Sequence, residues 1–489
     1  MKFFTFLGIA LCILGCSATG ENSTSDSQES ASQELPNIIY ILADDLGYGD
    51  LSVYGQTNFS TPNIDKLAAE GMLFTQHYSG STVCAPSRSA LMTGLHTGHT
   101  FIRGNKEVRP EGQHPLPDSI LTMAEVLKDA GYATGAFGKW GLGFPASEGD
   151  PNNQGFDTFY GYNCQRLGHH YYPYYLWDNQ TKVDLPNNAG KAKGSYGPEL
   201  IHEQTLAFIE DHQKDPFFLF VPNIIPHAEL IAPEKYMEKY RGKFPPEKEY
   251  KGTDDGENYR QGPYESQQES HAAFVAMIDL LDQQVGEIIS KVDELGLREN
   301  TLIIFTSDNG PHREGGADPE YFDSNGKLKG FKRDLYEGGI RVPMIASWPG
   351  KIAAGTSSDH ISAFWDVFPT VAELAGLEIP VAVDGLSFVP TLLGEKEKQQ
   401  SHEYLYWEFH ERGGRQAVRK GNWKGVRYNV LKNPDGPLEL YDLSVDIGEE
   451  NNLAEQHPDI VQEMEEILKS ARTPSEVFTF GQGTYLGKN

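Results

Sequence analysis

Apolar runs of five or six residues recur along this chain, each followed by polar residues and then by a stretch of helical spacing. Residues 37–42, N-I-I-Y-I-L, are nearly all apolar and rich in branched side chains, which predicts a strand buried on both faces. Residues 133–138, 217–221, 301–306 and 342–346 predict four more strands. Between them, residues 63–70, 122–130, 199–212, 267–295 and 366–375 carry helical patterns, and Gly71, Gly131 and Gly296 mark three helix ends. Strands alternating with helices argue for a parallel sheet covered on both faces. Past Leu393 the pattern changes. A charged linker at 395–400 leads to short strands at 404–409, 416–419, 423–428 and 438–442, and a closing helix at 459–471. The expected fold is α/β: a large, mainly parallel sheet sandwiched by helices over residues 36–393, then a smaller antiparallel sheet with one helix over residues 394–489.

The polar residues that follow the strands are informative. Asp44 and Asp45 follow the first strand and Lys139 follows the second. His227 comes after the strand at 217–221, and Asp308 and Asn309 after the strand at 301–306. Open α/β sheets bind ligands outside the carboxyl ends of their strands. Asp44, Asp45, Asp308 and Asn309 offer oxygen ligands only, which suits a hard cation, Ca²⁺ or Mg²⁺. Taken singly, D-D and S-D-N-G are also common turn formers.

Composition adds two constraints. The formal net charge of −28 argues against nucleic acid and anionic membrane surfaces as partners. It would also repel any polyanionic ligand at long range, but salt screens that field beyond about 8 Å, so local basic residues decide binding. The N-terminus reads as an export signal, with Lys2 as its positive end and residues 3–14 as a short apolar run. That run ends in I-L-G-C at Cys16, which resembles a bacterial lipobox. The resemblance implies a signal peptide at 1–15, a lipidated Cys16 and a tether to residue 35, rich in Ser, Glu, Asn and Gln. Ordinary cleavage near Ala18 is the alternative. The expected location is periplasmic or cell-surface, with the membrane reached only through the lipid. Of the four cysteines, Cys12 and Cys16 fall in this segment, leaving Cys84 and Cys164, which could form a disulfide.

The stretch S-T-V-C-A-P-S-R-S-A-L-M-T-G, residues 81–94, carries the chemistry. Pro86 suits a first helical turn, and Thr93 and Gly94 close the run, so Cys84 should sit just before a helix N-terminus. Arg88, one turn in, adds a forked cation suited to oxyanions. The spacing C-x-P-S-R-x-x-x-[LM]-T-G resembles the signature of the formylglycine-dependent sulfatases of the alkaline-phosphatase-like superfamily. The likeness extends through A-D-D-L-G-Y-G-D, G-K-W-G-L-G, S-D-N-G and the terminal L-E-L-Y-D-L with D-I-G-E-E-N-N-L, so from about residue 36 to 453.

The resemblance implies that a formylglycine-generating or anaerobic sulfatase-maturing enzyme oxidises Cys84 to formylglycine, whose hydrate attacks the sulfur of a sulfate ester. It implies that Asp44, Asp45, Asp308, Asn309 and the formylglycine hold one Ca²⁺. Lys139 and Lys332 correspond to the family's sulfate-binding lysines, and His227 to its proton donor or sulfate ligand. Arg333, Lys329 and Arg341 could add positive field, and Arg341 could equally be a structural ion pair. One position departs from the family. The common pattern is G-K-W-H, whose histidine is the base that collapses the formylglycine sulfate hemiacetal, and this chain has Gly141 there. His169, His170 and His312 are the candidates to replace it, with water as the alternative. The aromatic run Tyr171, Tyr172, Tyr174, Tyr175 and Trp177 could be a sugar-stacking platform. The expected substrate is a sulfated polysaccharide, oligosaccharide or small sulfate ester. A phosphate or phosphonate monoester hydrolase and a silent glycan-binding lipoprotein are the alternatives.

Overall fold

The computed structural model describes residues 35–480 and the backbone strand Tyr485–Leu486. The signal segment, Cys12, Cys16 and the tether up to Glu34 lie outside the described residues. From Leu35 onward the chain forms one unit that contains the two larger sheets.

The main sheet has eleven strands. In chain order its principal strands are β1 (Asn37–Ala43), β2 (Met72–Tyr78), β3 (Ala133–Lys139), β4 (Thr158–Tyr162), β5 (Tyr175–Asp178), β6 (Thr181–Asp184), β7 (Phe217–Pro222), β8 (Thr301–Ser307) and β9 (Arg341–Ser347). Their spatial order is β2-β9-β8-β1-β7-β3-β4-β5-β6. The middle, β8-β1-β7-β3-β4, is parallel throughout. The flanks are antiparallel: β9 pairs with β8 and β2, and β4, β5 and β6 form a meander. The sheet is therefore mixed, with the expected parallel order at its centre.

β1 shows why the centre is parallel and buried. All seven of its residues are buried. Ile39, Ile41 and Ala43 belong to the hydrophobic cluster on one face, and Ile38, Tyr40 and Leu42 to the cluster on the other. Period-two alternation thus feeds two cores at once, because helices cover both faces. The Ser270–Glu294 helix supplies much of the first face, with Ala273, Met277, Leu281, Val285 and Ile288.

The smaller sheet, Leu405–Phe409, Arg415–Lys420, Trp423–Tyr428 and Glu439–Asp442, is antiparallel in chain order and is closed by the Pro458–Ser470 helix. It packs on the main sheet through Trp407, Phe409 and Val426 against Tyr78, Leu335 and Trp365.

Register sets the site. Leu42 is level with Pro222 on β7 and with Thr306 on β8. The carboxyl ends of three neighbouring strands therefore finish at one height, and the Asp308 N–H donates to Ala43 O at 3.0 Å just beyond them.

Candidate active site

The Cys84–Thr93 helix points its N-terminus at these strand ends. Its ten residues are all buried, and Gly94 ends it at φ +69°, the left-handed cap that glycine supplies. Cys84 is the first residue of the helix rather than the one before it. Ser87 ties the helix to the β8 end, with its hydroxyl donating to Asp308 O at 2.6 Å.

The groups expected at the strand ends converge there. Cys84 Sγ lies 3.4 Å from Asp44 Oδ1 and 3.5 Å from Lys139 Nζ. Lys139 also pairs with Asp44 Oδ2. Arg88 reaches Asp308 Oδ2 at 2.9 Å and Asp44 Oδ2 at 3.4 Å, and it donates to Lys139 O. Lys332 Nζ sits 2.7 Å from Asp45 Oδ2, and His227 Nε2 lies 3.5 Å from the same oxygen. Asp45 has φ +65°, a conformation rare outside glycine, and its N–H donates to Asp308 Oδ1 at 3.1 Å. Three buried carboxylates thus face three buried cations.

Those charges set the protonation states. Burial pushes the Asp44 carboxyl up, but Lys139, His227 and Arg88 outweigh it and hold it below the usual carboxylate range. Burial works against Asp45 in the same way and is outweighed by Lys332, His312 and Lys139. Asp308 goes the other way: burial, with Asp44 close by, pushes it up to about 6. Burial, reinforced by Asp44, pushes the Cys84 thiol well up, so as encoded it is a neutral thiol. Cys84 and Cys164 are both free, which removes the disulfide alternative.

The residues present fit a hard cation. Asp44, Asp45, Cys84 and His227 bring one ligand atom each within 4.8 Å of one another. Asn309 lies alongside: its Nδ2 donates to Asp45 Oδ1 at 2.7 Å, while its buried Oδ1 has no hydrogen-bond partner. An orphaned carbonyl oxygen beside clustered carboxylates is the donor set of an oxygen-preferring cation.

Three imidazoles stack in a row. His227 lies between His169, 5.2 Å away between ring centroids, and His312, 5.6 Å away. His312 uses both nitrogens, at Pro226 O (3.2 Å) and the Glu314 N–H (3.1 Å). His170 accepts from the Gly262 N–H at 2.8 Å and turns its other nitrogen toward Glu229, 3.4 Å away. His169 Nδ1 pairs with Gly262 O at 2.9 Å, which leaves Nε2 as its lone-pair nitrogen. Burial pulls His169 down to about 3, so it is neutral at physiological pH.

A cleft of about 610 Å³ opens over this centre, lined by Cys84, His169, His227 and Lys332. Arg333 lines it too, paired with Glu314 at 2.5 Å. Lys329 and Arg341 do not: Lys329 binds Glu449 O at 2.8 Å and Arg341 pairs with Glu337 at 3.2 Å. The aromatic run does not line this cleft. Tyr171 and Tyr172 sit in the core, and Trp177 donates to Glu111 Oε1 at 2.7 Å. The aromatic ring on the cleft is Tyr264, 5.0 Å from His169. Sequence reasoning also missed Gln113, Gln165 and Glu314 as lining residues. Gln165 and Glu314 carried a signal only through their neighbours, the H-H pair and His312.

Residues 36–377 match the Sulfatase family model, and residues 329–474 match that of N-sulphoglucosamine sulphohydrolase, C-terminal. The chain is 31% identical to N-acetylgalactosamine-6-O-sulfatase of Bacteroides thetaiotaomicron, over 93% of this chain and 96% of that one. It is 33% identical to arylsulfatase A of Homo sapiens, over 91% and 89% of the two chains. Among solved structures, Ps i-CgsB in complex with k-i-k-neocarrahexaose superposes with a TM-score of 0.74 at 26% identity, covering 92% and 96%. With the strand-end site already in place, these matches mean that the chain belongs to the sulfatase family, has its alkaline-phosphatase-like fold, and is a sulfuric ester hydrolase.

Proposed function

We propose that this sulfatase removes sulfate from a glycan, using formylglycine made from Cys84 and a Ca²⁺ held by Asp44, Asp45, Asp308 and Asn309. The observation that carries the reading is Cys84 at the head of a buried helix, with Asp44 at 3.4 Å and Lys139 at 3.5 Å. Formylglycine would supply a hydrate oxygen as nucleophile, and the cation would draw charge from the sulfate oxygens.

The chain's own residues do the rest. Lys139 and Lys332 bind sulfate oxygens, and they arrive there desolvated and aimed. Arg88, fixed between Asp308 and Lys139 O, keeps the helix N-terminus and the two aspartates in register. His227 protonates the leaving alcohol from Nε2, since its Nδ1 is held by Ala228 O. Burial and Lys332 hold this imidazole well below its ordinary pKa, and the negative charge of a bound sulfate ester raises its proton affinity again. His169, whose Nδ1 is held by Gly262 O, takes the place of the missing histidine once the negative charge of the bound sulfate offsets the burial that lowers its proton affinity. The bacterial relative at 31% identity is a sugar sulfatase, and a mostly polar, roomy cleft suits a sugar ring.

The N-terminal I-L-G-C supports export as a lipoprotein anchored through Cys16, facing the periplasm or the cell surface. Labelled palmitate incorporated by the wild type and lost in Cys16→Ala would bear this out, and label retained in Cys16→Ala would refute it. No helix among the described residues is long and apolar enough to cross a membrane.

The function is tested by sulfate release from aryl sulfates, sulfated monosaccharides and sulfated oligosaccharides, with and without chelator. Release from a sugar sulfate, abolished by chelation and restored by Ca²⁺, is expected. Release that survives exhaustive chelation would refute the cation's part, and turnover of aryl sulfates alone would refute the glycan.

A further inference from the structure

Gly141 has φ +84°, a backbone conformation that side chains rarely adopt. The parallel pairing of β3 and β4 explains what stands beside it. Lys139 is level with Tyr162, and beyond them the Trp140 N–H donates to Tyr162 O at 2.9 Å and the Gly141 N–H to Asn163 O at 3.1 Å. The chain leaving β4 therefore runs beside the chain leaving β3, and Gln165 folds over Gly141. A Cβ at position 141 would lie 2.9 Å from Gln165 Cδ, inside any tolerable contact, and closer still to Nε2. The carboxamide fills the space that a side chain at 141 would need.

Gln165 is 7% exposed and lines the same cleft as Cys84, and its Oε1 has no hydrogen-bond partner. Gln113 lines that cleft as well, is 1% exposed, and has an unpartnered Nε2. Its backbone N–H donates to Gly143 O at 3.2 Å, which fixes it beside the segment that carries Gly141. Both residues thus line the cleft, and each holds a buried polar atom without a partner, an acceptor in Gln165 and a donor in Gln113. Buried polar atoms are nearly always paired, so two such residues lining one cleft mark a place for a ligand. A hydroxyl group has both complements: its O–H donates to Gln165 Oε1, and a hydroxyl oxygen accepts from Gln113 Nε2. A carboxamide stays uncharged at neutral pH and is no general base, so these residues orient and select.

We infer that Gln165 and Gln113 form a subsite for ring hydroxyls of the sugar that carries the sulfate, an inference that rests on the glycan reading above. The glycine at 141 is the condition for this subsite, since any side chain there would displace Gln165.

The test measures kcat/KM for the full chain matured at residue 84. The substrates are a nitrophenyl sulfate, the best sulfated monosaccharide, and the deoxy analogues of that monosaccharide, each lacking one ring hydroxyl. The wild type should lose about tenfold on one deoxy analogue. Gln165→Met and Gln113→Met should each lower the sugar-to-aryl ratio of kcat/KM by about tenfold. Gln165→Met should lose little further on the analogue that the wild type disfavours. The deoxy series on the wild type needs no variant, so it decides the matter even where a variant fails to fold. A ratio unchanged in both variants, or a wild type indifferent to every deoxy analogue, overturns the subsite and leaves the glycan reading standing. A wild type that turns over the aryl sulfate and no sugar sulfate overturns both.

Discussion

Two of the buried charge clusters among the described residues differ in kind, and only one of the two is a site. The first gathers Asp44, Asp45 and Asp308 with Arg88, Lys139 and Lys332 at the carboxyl ends of the strands. The second joins the two sheets. Lys424 meets Glu337 at 2.8 Å and Glu449 at 3.2 Å, Arg341 meets Glu337 at 3.2 Å, and the Tyr78 hydroxyl donates to Glu337 at 2.6 Å. Both clusters are cut off from water, so burial and charge do not tell them apart. The difference lies at the edges. The first borders a cleft through Cys84, His227 and Lys332, and it leaves Asn309 Oδ1 without a partner. In the second, each of these charges ends on an opposite one: Glu449 Oε1, though without a hydrogen bond, lies 3.2 Å from Lys424 and off the cleft, and Lys424 and Glu337 are fully buried. A closed network fixes a fold, whereas one with an unmet atom at an open edge is arranged for a ligand.

Substitutions should separate the two. The largest effect is expected from Cys84→Ala: sulfate release falls to background while the thermal unfolding midpoint stays near that of the wild type. Loss of folding instead would place Cys84 with the structural cluster. Lys424→Met should do the reverse. It strips Glu337 and Glu449 of their shared cation and should cost about 3–5 kcal/mol of stability in urea titration. The fraction that remains folded should keep wild-type kcat. Lys332→Ala should lower kcat by about a hundredfold to a thousandfold. Its stability loss should shrink when Ca²⁺ is added, because the cation compensates Asp45; calcium-independent loss would count against the assignment.

Acid sharpens the contrast. Burial pushes Glu337 up, but Lys424, Arg341 and Arg419 outweigh it and bring it down to about 2. A carboxylate lowered on folding stabilises fully above its unfolded pKa of about 4.5. That stability is lost as pH falls from there through about 2. Stability measured from pH 6 downward should therefore decline most steeply in this window, and Glu337→Gln should flatten the decline. A slope unchanged by Glu337→Gln would mean that other carboxylates set it. The smallest effect is expected at the rim. The Arg109 side chain is 59% exposed and lies 3.8 Å from Glu107. Arg109→Ala should change KM by less than about fivefold, and less again in high salt.

The sequence was legible where one short segment carried both pattern and chemistry. β1, β3, β7 and β8 are apolar runs that end in polar residues, so strand and site could be read together. The Cys84 helix was legible from Pro86 and Gly94. In the main sheet, strands without such runs were not found. β2, M-L-F-T-Q-H-Y, mixes polar and apolar residues because its surroundings are uneven, and it pairs antiparallel with β9. The meander of β4, β5 and β6 was hidden for the same reason. Its tyrosines read as a surface platform, yet Tyr171 donates to Ile224 O at 2.7 Å and to His227 O at 2.8 Å inside the core. A hydroxyl that finds carbonyl partners can be buried at little cost, which composition does not reveal. Gln165 was illegible for a different reason. Its meaning depends on Gly141, twenty-four residues away along the chain and adjacent only through the pairing of β3 with β4.

The most direct test follows residue 84 itself. Full chain would be produced with graded amounts of a maturing enzyme, the aldehyde fraction at residue 84 read from peptide mass, and sulfate release measured on each preparation with Ca²⁺ present. Turnover should rise in proportion to the aldehyde fraction and pass through zero where only cysteine is present. Turnover that persists in fully unconverted protein, or in Cys84→Ala, would contradict the account.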